Sequence, residues 1–162
     1  MKKSNCGDIM SFENRIKELG LKIPKPPKPM GAYVPYVKAG KFVYIAGEKA
    51  TVEDKLVYKG KLGKDLSLEE GYESARIACL NCLGSLKAAV GDLNKIEQIV
   101  KVVGYVNSAD GFNQQPKVIN GASELLLSIF GEKGKHARVA VGVNELPSDS
   151  PVEVEMIAKL KE

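Results

Sequence analysis

The stretch from Leu68 to Val90 constrains the fold more than any other part of the sequence. Ser67 and Glu70 form a capping box, in which each side chain meets the other residue's backbone N–H at a helix start. Tyr72, Ala75, Cys79, Cys82, Leu83, Leu86 and Val90 then recur at helical spacing until Gly91 ends the run. A helix of that length with one apolar stripe must bury it against a second layer. A second stripe, Val118, Ala122, Leu125, Leu126 and Ile129, predicts another helix over Phe112 to Phe130, with Pro116 in its first turn. Between the two helices, Ile96 to Asn107 reads as a long strand. Val100, Val102, Gly104 and Val106 are expected on one face, and Lys101, Val103 and Tyr105 on the other.

The flanking segments supply the rest of a sheet. Tyr33–Lys38 and Lys41–Gly47 read as strands joined at Ala39-Gly40, and Leu56–Lys59 as a short third strand. His136–Asn144 and Val152–Leu160 close the chain as two strands, with the Leu146-to-Pro151 connection expected to make them a hairpin. Two amphipathic helices against one sheet predict a two-layer α+β domain, with one sheet face left uncovered. Ahead of it, Met1–Asp8 reads as a disordered tail. Ser11–Leu19 reads as a short helix, with Phe12, Ile16 and Leu19 on one face. Pro24, Pro26, Pro27 and Pro29 forbid regular structure, and Lys22 to Lys28 reads as a stiff exposed arm. Residues 1–28 are therefore expected to be tail, helix and proline-rich arm, and residues 29–162 the domain.

The net charge of +4 is spread along the chain, without the basic stripe and interleaved aromatics of a nucleic-acid reader. Three cysteines make no disulfide framework. Cys79 and Cys82 sit mid-helix, where core packing is expected rather than redox chemistry or zinc binding. With no secretory signal and no apolar run long enough for a membrane span, cytosol is the expected compartment.

Strand alternation assigns Val139, Val141 and Val143 to the helices. His136, Arg138, Ala140, Gly142 and Asn144 are assigned to the uncovered face, with Glu153, Glu155, Ile157 and Lys159 of the last strand. In a regular hairpin Arg138 lies about 13 Å from Glu153 along the strands, too far for a simple ion pair. A guanidinium there is an interface ion-pair partner, a solvated charge on an exposed sheet, or a clamp for a carboxylate ligand. A semi-enclosed glutamate can work as a general acid or base through water.

Gly31-Ala32-Tyr33-Val34, Val43-Tyr44-Ile45-Ala46-Gly47, Val118-Ile119-Asn120-Gly121-Ala122, the run Ala137 to Pro147 and Val152-Glu153-Val154-Glu155 together resemble the RidA family, also labelled endoribonuclease L-PSP or translation inhibitors. The resemblance covers about Pro29 to the C-terminus, and Gly63 to Tyr72 looks like one branch of the family. It implies a chorismate-mutase-like fold, a homotrimer with three pockets between subunits, and hydrolysis of enamines or imines such as 2-aminoacrylate to keto acid and ammonia. It implies no metal or organic cofactor. By the same resemblance Arg138 holds the substrate carboxylate, Glu153 positions or activates water, Tyr33 lines the pocket from a neighbouring subunit, and Asn120 lies in the same region. Where the deaminases carry a serine and often a cysteine, this chain has Ala46 and Ala140. Three functions follow as expectations: a deaminase of small imino acids, a non-catalytic trimer that binds small carboxylates, and a ribonuclease. The last is the least expected, since the chain has a single histidine and no basic groove. His136 itself reads as an exposed residue at a strand start.

Overall fold

The computed structural model describes residues 11–26, 28–29 and 31–162; the expected tail Met1–Asp8 lies outside them. Helix α1 (Phe12–Glu18) starts at Ser11, whose hydroxyl accepts from Asn14 N–H. Strands β1 (Tyr36–Ala39) and β2 (Phe42–Lys49) form the first hairpin, turning at Gly40 with φ 59°. The predicted third strand at Leu56–Lys59 is instead a small separate ribbon of β3 (Thr51–Val52) and β4 (Lys55–Leu56). Glu53 and Asp54 turn it with positive φ, a conformation that aspartate tolerates better than most residues. Helix α2 (Leu68–Val90) carries both hydrogen bonds of the predicted capping box and ends at Gly91, φ 79°. Strand β5 (Ile96–Asn107) has the predicted span, and helix α3 (Gln115–Phe130) starts three residues later than Phe112. Strands β6 (Ala137–Val143) and β7 (Val152–Leu160) follow.

The main sheet has the order β1-β2-β7-β5-β6. Here the expected hairpin fails. Strand β7 leaves its neighbour in sequence and inserts between β2 and β5, antiparallel to both, while β6 lies parallel to β5 at the sheet edge. Strand β5, helix α3 and β6 thus form a crossover unit, the connection that parallel neighbours require. The core lies between α2, α3 and the sheet and includes Leu83, Leu86, Ile99, Val102, Ile119, Leu126 and Met156. A bulge between Ile99 and Lys101 brings Ile99 and Val102 onto the same buried side and leaves Val100 only half-buried.

Helix α2 is buried around more of its circumference than one stripe, including Ser74, Asn81 and Ser85. The second cover is the N-terminal arm: a Cβ on Gly84 would stand 2.4 Å from the carbonyl oxygen of Pro24. Ile16 is buried, and Phe12, Leu19, Leu21 and Ile23 pack against the same core. Cys79 and Cys82 are fully buried, and burial pushes both thiols up, as core cysteines and not as redox or metal groups. Among the described residues no helix is long and apolar enough to cross a membrane.

Candidate functional site

Two clusters hold the residues singled out by sequence, one at each side of the sheet. The first is built on the β6 edge, and it corrects the face assignment. Arg138 pairs in register with Val102, which is fully buried on the helix side. Residues opposed across a ladder share a face, so Arg138 points to the helix side and not to the uncovered face. Val139 and Val141 point the other way, 41% and 40% exposed. Ala140 packs against the core, and a Cβ on Gly142 would meet Gln115 and Ser108, placing this whole row on the helix side. A valine row marks a core only when the other face is wet, and this uncovered face also carries Val37, Phe42 and Tyr44 exposed.

At that edge α3 supplies the partners. Arg138 Nη1 donates to Asn120 Oδ1 at 2.8 Å and to Ser123 Oγ at 3.1 Å, and Nη2 donates to the Pro116 carbonyl at 3.4 Å. Asn120 and Ser123 are three positions apart on one helix, hence neighbours on one side of it. A guanidinium has five N–H donors. Three are engaged; the Nε–H and one Nη2–H carry no hydrogen bond among the described residues. Nε and Nη2 lie on one side of the planar group, the side from which a carboxylate can accept bidentately.

The second cluster surrounds β2. An irregularity in the β2–β7 register falls between Ile45 and Glu48. Ala46 and Gly47 occupy this bulge, and with Tyr33, Pro35, Lys49 and Asp54 they line a cavity of about 310 Å³. Glu153 lies directly over Gly47: a Cβ there would stand 2.1 Å from Glu153 Oε1, so the carboxyl occupies the space a side chain at Gly47 would take. Burial pushes the Glu153 carboxyl up, with Lys49 pulling it down and Glu155 raising it further.

Glu48 also lines the cavity, and sequence reading passed over it. It is buried, its carboxyl accepts from Ser85 Oγ at 2.8 Å, and burial raises its pKa above the ordinary 4.5. The bulge at Ala46 and Gly47 carries Glu48 to the buried side of Val43 and Ile45, a shift that strand alternation alone does not reveal. Because the folded state holds this proton more tightly than the unfolded chain, stability falls as pH rises from 4.5 through the raised value. Glu48→Gln keeps an acceptor for Ser85 and removes that slope. Its urea midpoint is expected to match wild type at pH 4 and to exceed it at pH 8, the gap opening above pH 4.5 and levelling off beyond the raised value.

Arg138 and Glu153 do not meet within one chain. Counted by register they are two strands and three residues apart, about 14 Å at ordinary sheet spacings, and on opposite faces. The two clusters are Arg138 with Asn120, and Tyr33 with Ala46, Gly47 and Glu153. His136 is half-buried and hydrogen-bonded to Ser123 and to the Gly134 carbonyl, not the exposed residue expected.

Comparison with known proteins agrees with this architecture. Residues 13–160 match the family described as "YjgF/chorismate mutase-like, putative endoribonuclease". Protein TCP17 of Trypanosoma cruzi is 39% identical over 146 residues, 90% of this chain and 91% of that protein. The RutC family protein PH0854 of Pyrococcus horikoshii is 34% identical, covering 82% of this chain and 90% of its own. The crystal structure of Atu1372 from Agrobacterium tumefaciens, a protein of unknown function, superposes with a TM-score of 0.86 at 36% identity, over 93% of this chain and 92% of that one.

Proposed function

The chain belongs to the YjgF/chorismate mutase-like family, the RidA family of the sequence resemblance, and on that premise we propose that it hydrolyses small enamine or imine acids to keto acid and ammonia. The observation that carries the proposal is the state of Arg138. Three of its N–H groups are spent holding the guanidinium on α3, and the paired edge is left for a ligand. A planar fork fixed in this way selects a carboxylate and meets it with little loss of side-chain freedom.

The chemistry asks for little more. Protonation of the enamine at its β-carbon gives the imine. Water adds to the C=N carbon, giving a carbinolamine; the C–N bond then breaks, and ammonia leaves as the keto group forms. Glu153 takes the proton of the attacking water and returns it to the departing nitrogen, a role suited to a carboxyl whose pKa burial has raised. Because Arg138 and Glu153 are on opposite faces of one sheet, the site joins Arg138 and Asn120 of one copy to Tyr33 and Glu153 of another. The exposed valines 139 and 141 with Tyr44 supply apolar surface for that contact in a homotrimer.

The test follows ammonia release from 2-aminoacrylate generated in situ. With Glu153 as base, kcat falls as pH drops through its raised pKa, so the acid limb stands above the ordinary carboxylate range. Glu153→Gln is expected to lower kcat about 100-fold, at the lower end for a positioned acid–base group, with KM nearly unchanged and the acid limb gone. A wild type that does not accelerate ammonia release sinks the proposal for these substrates.

A second reading, a carboxylate-binding trimer without turnover, is favoured by Ala46 and Ala140, which bring neither hydroxyl nor thiol to the site. Binding of pyruvate with no hydrolysis of the imine selects it. Two-histidine acid–base cleavage of RNA is not open to a chain with one histidine.

A further inference from the structure

Resting on the reading of Arg138 as a carboxylate clamp, we infer that His136 and Ser123 are positioning residues that aim it, through a one-way chain of hydrogen bonds from Arg138 to the Gly134 carbonyl. The direction follows from which groups can donate. His136 Nδ1 is 2.6 Å from the Gly134 carbonyl oxygen, which only accepts; Nδ1 therefore carries the proton. In a neutral imidazole Nε2 is then an acceptor, and at 2.9 Å its partner is the hydroxyl of Ser123, which must donate. With its proton committed to histidine, Ser123 Oγ turns lone pairs outward, and Arg138 Nη1 donates to it at 3.1 Å. A serine free to rotate would present its own proton to a cation part of the time. This one cannot.

Both ends of the chain are pinned. A Cβ on Gly134 would stand 2.4 Å from the Leu126 carbonyl oxygen, so the backbone of Gly134 is pressed on α3 and its carbonyl is fixed. The Gln98 side chain donates to the adjoining Lys135 carbonyl. At the other end Asn120 and Pro116 take the remaining engaged donors of Arg138. Burial holds the imidazole toward its neutral form. Arg138 faces it from β6, Lys135 on its own segment is paired to Glu132, Glu124 on α3 is held by the Tyr72 hydroxyl, and Lys101 of β5 lies across from Ala137. Burial, the largest cause, pushes the histidine pKa down and outweighs the Gly134 hydrogen bond, which raises it; Arg138 lowers it further.

The experiment has two independent readouts. Long-range proton–nitrogen NMR of the full chain at pH 7.5 reports the His136 tautomer, and the Nδ1–H form is expected. Titration with pyruvate, the carboxylate probe, gives Kd for wild type, Ser123→Ala, Ser123→Thr and Arg138→Ala. Ser123→Ala is expected to bind about tenfold more weakly, the scale of one hydrogen bond to a charged group. Ser123→Thr, which keeps the hydroxyl, stays within about twofold of wild type, and thermal melting of Ser123→Ala stays near wild type because alanine suits a helix position. An Nε2–H tautomer overturns the inference whatever the binding shows. So does Ser123→Ala binding like wild type while Arg138→Ala loses pyruvate, a result that leaves the clamp standing. Equal binding by wild type and Arg138→Ala overturns the clamp, and the inference with it.

Discussion

Arg138→Ala is expected to lower kcat/KM for 2-aminoacrylate hydrolysis by roughly 100- to 1,000-fold, the equivalent of about 3–4 kcal/mol of lost transition-state stabilisation. Losing one member of a hydrogen-bonded charge pair costs that much when the other is left desolvated without a partner, here the substrate carboxylate. Arg138→Lys keeps the charge and loses the fork. A lysine ammonium offers one point charge where the guanidinium offers two parallel N–H groups. It is expected between the two, about tenfold above Arg138→Ala. Folding is expected to tolerate either change, because Asn120 and Ser123 are only half-buried and water can replace the lost donor. Melting curves beside steady-state kinetics check both points. An alanine variant within twofold of wild type removes Arg138 from the site.

Gly121→Ala carries the largest expected effect on stability. A Cβ at this position of α3 would stand 2.0 Å from the Tyr72 carbonyl oxygen, 2.9 Å from its carbon and 3.2 Å from Arg76 N. All three atoms belong to the backbone of α2, so no side chain can swing aside. The helices must separate, and the buried contacts between them loosen together. Overpacking of this kind ordinarily costs about 1–3 kcal/mol, and a rigid contact belongs at the top of that range. For a chain of this size about 3 kcal/mol corresponds to a fall in Tm of roughly 6–12 °C. Lys117→Ala, exposed on the same helix, is the control and is expected to shift Tm by less than about 2 °C. A Gly121→Ala variant that melts with wild type would mean that the helices do not cross this closely.

These two residues mark what was legible in the sequence. The α2 start was legible because a capping box is local: Ser67 and Glu70 need nothing beyond their own turn. Gly121 lies within the apolar stripe of α3, and how closely it lets the α2 backbone approach shows only once the two helices are packed. Arg138 was legible as a residue of consequence, but its face was not. Parity says which residues share a side of a strand; it does not say which side is covered. The exposed row Val139 and Val141 is as apolar as a core row, and assigning that row to the helices inverted the faces. The hairpin between β6 and β7 failed for a related reason. Adjacency in sequence favours pairing, but β7 has apolar residues enough to be sandwiched in mid-sheet, and Val152, Val154, Met156 and Ala158 are all buried there. Ser123 and Glu48 were missed because each has meaning only through a partner distant in sequence, His136 for one and Ser85 for the other.

The insertion of β7 bears on the order in which the chain can assemble. It follows every other strand in sequence, yet it bridges the β1–β2 hairpin to the β5–β6 pair, which share no ladder of their own. During synthesis the two halves therefore emerge as separate fragments, each with a bare strand edge, and both edges stay open until Val152–Leu160 clears the ribosome. Exposed edges of this kind recruit other chains. The interval before β7 arrives is thus when this protein is most vulnerable to aggregation, and shielding by a nascent-chain chaperone would count most then.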